Sequence, residues 1–245
     1  MVVLVTGSSR GIGAATIKEF AARGHDVVIN YSVSADEAYA LQESINQYSG
    51  RSLVIKCDIS DEEQVKSMVN TIMQAFGTID ILINNAGIAI DSDFNEQTVE
   101  NFRKTLNTNL IGTYLVSKYV GNIMLNNKSG SIVNISSTNG IDTQYPESID
   151  YDASKAGILS LTRNFAKAYA PYVRVNAVCP GWVNTKMNEN LTDEFRKRET
   201  DKILLGRFAE PEEIATAIFY VAQHPYINDS IIRVDGGERP WILKN

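Results

Sequence analysis

The 245-residue sequence predicts a doubly wound parallel α/β sheet of about seven strands with helices on both faces, on three observations. Short β-branched runs alternate with helical stretches along the chain. The strand runs are continuously apolar rather than alternating, which is the pattern of parallel strands covered on both faces. A Gly-rich turn joins the first strand directly to the first helix, at the edge where open sheets of this kind bind ligands.

The elements follow in order. Val2–Thr6 reads as the first strand, and the helix from Ile12 to Arg23 ends at Gly24, a residue suited to the left-handed position past a helix C-terminus. Val27–Tyr31 and Leu53–Lys56 are the second and third strands. Ser60-Asp61-Glu62-Glu63 has the form of a capping box, and the helix it opens runs to Gly77. Ile79–Ile83, Ser131–Ser136 and Val173–Val178 supply the next three strands. Pro211 with Glu212-Glu213 opens a late helix, in keeping with the first-turn preference for proline and acids. Ile231–Val234 closes the sheet. This β-α-β rhythm is Rossmann-type. No Pro/Gly/Ser-rich linker, internal repeat or low-complexity segment interrupts it, so residues 1–245 are expected to form one domain.

Composition narrows the function classes. The chain is 44% hydrophobic and 21% charged, ordinary for a globular protein, and carries a net charge of −6. That balance argues against nucleic-acid binding, because a phosphate backbone wants surplus Lys and Arg. Apolar runs such as Val2–Val5 and Ile79–Ile83 are too short to span a bilayer, and no signal-peptide pattern is present; a cytoplasmic protein is expected. The two cysteines, Cys57 and Cys179, and the two histidines, His25 and His224, lack metal-ligand spacing, so no metal site is expected. The cysteines read as buried small hydrophobes and the histidines as surface residues. There is no G-x-S-x-G elbow to support a hydrolase.

The turn Thr6-Gly7-Ser8-Ser9-Arg10-Gly11-Ile12-Gly13 has the chemistry of a dinucleotide site. Gly7 permits the tight turn, Gly11 lets the backbone approach a pyrophosphate, and Gly13 allows close helix packing. The helix N-terminus adds free N–H groups and a positive dipole. No Lys-Ser/Thr follows the last glycine, so it is not a P-loop. The second strand ends in Asn30-Tyr31-Ser32, expected to bind the cofactor, with no acid before Asp36, where an NAD site usually places a carboxylate. With Arg10 able to pair with a 2′-phosphate, NADP(H) is expected over NAD(H).

Tyr151-Asp152-Ala153-Ser154-Lys155 places a phenol and an ammonium one helical turn apart. A nearby cation stabilises phenolate and is expected to lower the phenol pKa. The same spacing recurs at Tyr114 and Lys118, but no Ser-terminated strand stands shortly upstream, and Tyr114 reads as an ordinary helix residue. Upstream of Tyr151, the fifth strand ends at Ser136-Ser137, and Ser137 can donate a hydrogen bond to a substrate carbonyl as charge develops.

Together the Gly-rich turn, Asn84-Asn85-Ala86-Gly87, Ser137, Tyr151 with Lys155, Pro180-Gly181 and Val234-Asp235-Gly236-Gly237 resemble the short-chain dehydrogenase/reductase family over nearly the whole chain. The resemblance implies that Tyr151 is the general acid/base, that Lys155 binds the nicotinamide ribose and tunes the phenol, and that Ser137 orients the carbonyl. It implies that Asn109, in Asn107-Thr108-Asn109-Leu110, holds a proton-relay water. Asp58 with Ile59 would meet the adenine and Asn85, Ala86 and Gly87 the adenosine side. Pro180, Gly181 and Val183 would also bind the cofactor, Thr185 at its carboxamide, as would Ser9 and Ile12 in the glycine turn itself. For Asp58 and Asn109, local capping is the competing explanation.

In length and motif wording the chain most resembles the 3-oxoacyl-acyl-carrier-protein reductases. Those enzymes commonly carry a basic residue before the sixth strand to grip the acidic carrier, whereas here Pro171-Tyr172 stands there, with Lys128 as a partial substitute. An NAD(P)-dependent alcohol or sugar dehydrogenase is the alternative, and a non-catalytic dinucleotide sensor a remote one. Trp182, Met187, Leu191, Phe195, Tyr145 and Ile141 are candidates to line the substrate pocket. The Ser137-to-Tyr151 spacing of 14 is slightly long for the family. The resemblance implies a homotetramer, which the apolar tail Pro240-Trp241-Ile242-Leu243 would suit.

Overall fold

A computed structural model describes residues 1–238, so the tail 240–243 lies outside the described residues. β1 (Val2–Val5) leads into α1 (Gly11–Ala21), followed by β2 (Asp26–Tyr31), α2 (Ala35–Ile45), β3 (Ser52–Lys56), α3 (Glu62–Phe76) and β4 (Ile81–Asn84). α4 (Val99–Leu106) and α5 (Gly112–Asn126) are joined through one π-helical turn, Asn107–Ile111. Then come β5 (Gly130–Ile135), α6 (Ile149–Tyr169), β6 (Val173–Pro180), α7 (Asp193–Thr200), α8 (Pro211–Gln223) and β7 (Ile231–Val234). The seven strands are parallel in the order β3-β2-β1-β4-β5-β6-β7. Strand order reverses between β1 and β4, the point at whose carboxyl edge open sheets of this kind form their ligand crevice.

The apolar runs of β1 and β4 are fully buried, while the edge strands β3 and β7 are only half-buried. One core layer packs Ile17 and Phe20 of α1 and Ile214, Ile218 and Val221 of α8 onto the sheet. The opposite layer packs Met68 and Ile72 of α3 with Val116, Val120 and Met124 of α5. Cys57 and Cys179 are free and buried, as small hydrophobes.

The structure moves several expected boundaries. The fourth strand begins at Ile81 rather than Ile79, because Asp80 is tied to the start of β1: Val2 N donates to Asp80 Oδ2 at 2.7 Å and Asp80 N to Val2 O at 2.9 Å. The N-cap of α3 is Asp61, not Ser60. Asp61 Oδ1 accepts from Glu63 N and Gln64 N, while Ser60 donates its hydroxyl to Asp58. Asp61 is the better cap because a carboxylate also meets the positive helix end. Pro211 does occupy the first turn of α8, and Glu210 N donates to Glu213 Oε2. His25 is not a surface residue: it is half-buried, edge-on to Phe20 at 5.5 Å between ring centroids, and His224 is half-buried against Tyr220.

Directly beneath the strand ends, polar side chains tie the sheet to α5 and α6. Asn84 Nδ2 donates to Ser117 Oγ and to Asn134 Oδ1, both at 2.8 Å, and Asn134 Nδ2 donates to Thr162 Oγ1 at 2.9 Å. Asn134 is fully buried. Asn134→Ala removes partners from two buried groups and is expected to lower stability by about 1–3 kcal/mol, read from the urea midpoint at unchanged slope.

Candidate active site

At the β1 edge the glycine turn is pressed against the end of β4. Gly7 has φ +59°, and a Cβ there would lie 2.7 Å from Ala86 Cα, so only glycine fits without a shift. At Gly13 a Cβ would meet Ser8 Cα at 2.7 Å, which holds α1 close to its own turn. Polar brackets fix this contact. Thr6 Oγ1 accepts from Asn85 N and Ala86 N at 3.0 and 3.1 Å, and Asn85 Nδ2 donates to Thr6 O and Gly7 O, each at 3.0 Å. The N-cap of α1, Arg10, is extended and offers no side-chain cap, leaving the N–H groups of Gly11, Ile12 and Gly13 for an anion.

Asn30 does something other than expected. Its side chain turns inward: Oδ1 accepts from Gly7 N at 3.0 Å and Nδ2 donates to Cys57 O at 3.1 Å, while its N–H donates to Ser8 Oγ. It braces the turn from below and has no group left for a ligand. Tyr31 is likewise withdrawn, its ring buried in the core and edge-on to Tyr39. Arg10 and Ser32 are exposed and Ser9 is half-buried. Asp58 Oδ1 accepts from Ser60 N and Oγ, the local turn that competes with an adenine contact. The side chain of Ile59 is buried against Gly112, so contact with a ligand falls to its main chain.

Thr185 faces Gly11, whose Cβ would stand 3.4 Å from Thr185 Cγ2. Both border an open cavity of about 450 Å³ that Lys18, Lys186 and Arg196 also line. Sequence motifs did not single out these three cations, because they come from α1, the loop after β6 and α7. Pro180 ends β6 and Gly181 N donates to Val234 O. Val183 is buried in the core and bridges to Ala209. The glycines, Asn85, Ala86, Gly87, Thr185 and the free end of α1 thus form one cradle that a Cβ would fill, which fits a dinucleotide.

The second group gathers at the ends of β5 and α6. Ser137 follows β5, and its side chain is near enough to Tyr151 to act on the phenol pKa. Lys155 is buried, its Nζ donates to Ile135 O at 2.9 Å, and it stands 5.3 Å from the centre of the Tyr151 ring. A Cβ on Gly87 would approach Lys155 Nζ at 3.6 Å and Asn109 Oδ1 at 3.3 Å, so the β4 and β5 edges meet here. Asn109 sits in the π-helical turn, where extra backbone commonly marks a functional site. Its Oδ1 accepts from Ile88 N at 2.8 Å, and its Nδ2 donates to Ile88 O and Ser154 Oγ. The side chain is therefore a brace between the loop after β4 and α6.

The expected acidification of Tyr151 by Lys155 is overturned in this structure. Burial pushes the phenol up to about 12, opposed by the neighbouring Ser137 and reinforced by Asp152 and Asp91. Burial pushes Lys155 down to about 8. A low-dielectric site favours the neutral form of both groups, and the amine is aimed at a backbone carbonyl rather than at the phenol oxygen. Tyr114 is 40% exposed on α5 and stacks on Phe165, remote from this arrangement.

Tyr145, in the loop between Ser137 and Tyr151, belongs to an aromatic wall. Trp182 contacts Tyr145, Phe195 and Phe208 with centroid distances of 5.8, 5.4 and 5.4 Å. Phe208 was missed by sequence reasoning because it lies beyond α7. Met187 and Ile141, expected to line a pocket, are 58% and 39% exposed, and Leu191 is half-buried.

A family described as enoyl-(acyl carrier protein) reductase matches residues 7–238. A 3-oxoacyl-[acyl-carrier-protein] reductase from Synechocystis is 38% identical over 240 residues, covering 96% of both chains. The chain belongs to the short-chain dehydrogenase/reductase family. It is similar also to glucose 1-dehydrogenase 2 of Bacillus subtilis, 33% identical over 96% of this chain and 93% of that one. Among solved structures, a short-chain dehydrogenase/reductase from Serratia marcescens superposes with a TM-score of 0.91 at 33% identity over 96% of each chain. Family membership makes this chain an oxidoreductase acting on CH–OH/C=O groups, with NAD or NADP as the family's cofactor.

The depressed Lys155 pKa has a sign that can be measured. Between about pH 8 and the ordinary lysine value of about 10.4 the folded state binds fewer protons than the unfolded, so wild-type stability rises with pH across that window. In protein free of dinucleotide, Lys155→Met is expected to be more stable than wild type by about 2 kcal/mol at pH 7, and the gap to close toward pH 10. Urea unfolding at the two pH values checks it.

Proposed function

We propose that the chain is an NADPH-dependent carbonyl reductase whose substrate is a 3-oxoacyl thioester carried on acyl carrier protein. The observation that carries this reading is the convergence of Ser137, Tyr151 and Lys155 at the carboxyl edge, beside the glycine cradle. A bound reduced nicotinamide supplies the hydride. Ser137 holds the carbonyl oxygen by a hydrogen bond, and Tyr151 delivers the proton to that oxygen as negative charge develops. Burial keeps the phenol protonated and ready to donate in this direction. Lys155 holds the ribose and, when protonated, stabilises phenolate after transfer. Asn109 supports the relay that returns a proton to Tyr151, with its side chain fixing the local backbone. Two neighbouring hydroxyls suit protonation at oxygen, which favours a ketone over an enoyl double bond.

Gly7, Ser9, Gly11, Ile12 and Gly13 would hold the pyrophosphate, and Arg10 with Ser32 the 2′-phosphate. Among the described residues Arg10 forms no ion pair, and no acid precedes Asp36 after β2. Asp58, the Ile59 main chain, Ala86 and Gly87 would border the adenosine, and Pro180, Gly181 and Thr185 the nicotinamide. Asn30, Tyr31, Asn85 and Val183 serve instead by shaping the cradle.

Relatives named as 3-oxoacyl-[acyl-carrier-protein] reductases support the substrate. Tyr172 is exposed just before β6, where carrier binding would favour a cation, and Lys128 Nζ lies 5.8 Å above its ring. That observation favours the second reading, a free alcohol or sugar dehydrogenase. We propose one domain over 1–245, a cytoplasmic location and a homotetramer. No helix of the described residues is long and apolar enough to cross a membrane.

Tyr151→Phe is expected to lower kcat by about 10³-fold while leaving the NADPH Kd within about twofold. Turnover of a 3-oxoacyl thioester, simple ketones and glucose, measured side by side, separates the two readings. Arg10→Ala is expected to weaken NADPH binding about tenfold and leave NADH binding unchanged, which fluorescence titration reads directly.

A further inference from the structure

Beyond the family motifs, a polar chain runs from Ser137 to Asp152, the residue after Tyr151, and on to Tyr145. Ser137 Oγ donates to Asn139 Oδ1 at 3.1 Å and accepts from Asn139 N at 3.2 Å. Asn139 Nδ2 donates to Asp152 Oδ1 at 2.6 Å, and Asp152 Oδ2 accepts from Tyr145 N at 3.0 Å. Each polar atom of the Asn139 and Asp152 side chains therefore has a partner. Asp152 follows Tyr151 by one residue, about 100° around the helix, which turns its carboxylate off the phenol and onto the loop.

The direction of this chain follows from chemistry. An ionised carboxylate only accepts, so Asn139 must offer it the amide NH2 and must turn its carbonyl toward Ser137. Burial with Asp150 and Asp91 pushes the Asp152 pKa up, while its two donors pull it down. The chain also continues outward. Tyr145 donates its hydroxyl to Glu199 Oε2 at 2.7 Å, and fully buried Glu199 is held by Arg198 and Lys202. The loop between Ser137 and Tyr151 is thus pinned at both α6 and α7.

We propose that Asn139 and Asp152 are positioning residues that hold the Ser137 hydroxyl in register with Tyr151 through the chain Ser137–Asn139–Asp152–Tyr145. This rests on the reading of Ser137 as the carbonyl-binding group. An arriving carbonyl takes the hydroxyl hydrogen from Asn139 Oδ1, while Asn139 N continues to hold the oxygen in place. A displaced hydroxyl slows the chemical step, since positional errors of about 1 Å cost about 10²-fold, and leaves the dinucleotide cradle untouched.

The test uses the full chain with NADPH and a 3-oxoacyl thioester or whichever ketone it turns over. Asn139→Ala, Asp152→Ala and Asn139→Asp are each expected to lower kcat at least about tenfold, with KM and the NADPH Kd within about threefold of wild type. Asn139→Asp opposes two carboxylates, so the double variant Asn139→Asp/Asp152→Asn restores a donor facing an acceptor at every link and is expected to recover kcat to within about threefold. The proposal is overturned by wild-type kcat in the single variants, by parallel loss of NADPH binding, or by a double variant no better than Asn139→Asp. Ser137→Ala separates the two levels: if it retains wild-type turnover, the reading of Ser137 itself fails. If Ser137→Ala is inactive while Asn139→Ala and Asp152→Ala are normal, only the positioning role fails.

Discussion

The close approach of Gly7 to Ala86 is the constraint on which the site depends. It brings the turn after β1 against the end of β4, at the point where the sheet's strand order reverses. Were the two segments a side chain apart, α1 would not point its free N–H groups into the same crevice that Lys155 and Gly87 border. Thr6, Asn30 and Asn85 secure the contact with hydrogen bonds to main-chain atoms of the turn and its neighbours. Main-chain partners make this bracket insensitive to which side chains occupy Ser9 or Arg10, so ligand preference can be set there without loosening the turn.

A second constraint is burial at the chemical end. Lys155 and Tyr151 both lose hydration, and each is pushed toward its neutral form. For a reductase this leaves the phenol as a loaded proton donor, while the amine is restrained by Ile135 O rather than by a counter-charge. The polar side chains around them are largely occupied: Asn109 by Ile88 and Ser154, Ser136 by Lys155 O, Asn134 by Thr162. Such a filled network holds hydroxyl positions steady in the absence of strong ion pairing.

On the open side, the aromatic wall of Tyr145, Trp182, Phe195 and Phe208 belongs to loops and α7 rather than to the sheet. It is joined to the rigid part through Tyr145, whose main chain is on Asp152 and whose hydroxyl is on Glu199. The aromatic wall and Ser137 therefore share an anchor. Movement of α7 would be felt at the loop that follows Ser137.

The sequence by itself determined the strand-helix order, the parallel sheet, the glycine cradle and the Ser137, Tyr151 and Lys155 set. These are local signals: apolar runs of strand length, glycines beside a helix start, and a fixed one-turn spacing. Tertiary structure decided what depends on contacts between distant segments. Asn30 lies at the predicted strand end, yet its side chain turns under the glycine turn, because Gly7 N and Cys57 O, 23 and 27 residues away, need partners there. Asp61 rather than Ser60 caps α3 because Asp58 claims the serine hydroxyl. The direction of the Tyr151 and Lys155 pKa shifts was also hidden, since spacing reports proximity but not desolvation, and desolvation is the larger effect when β5, α6 and the loop after β4 close around both groups.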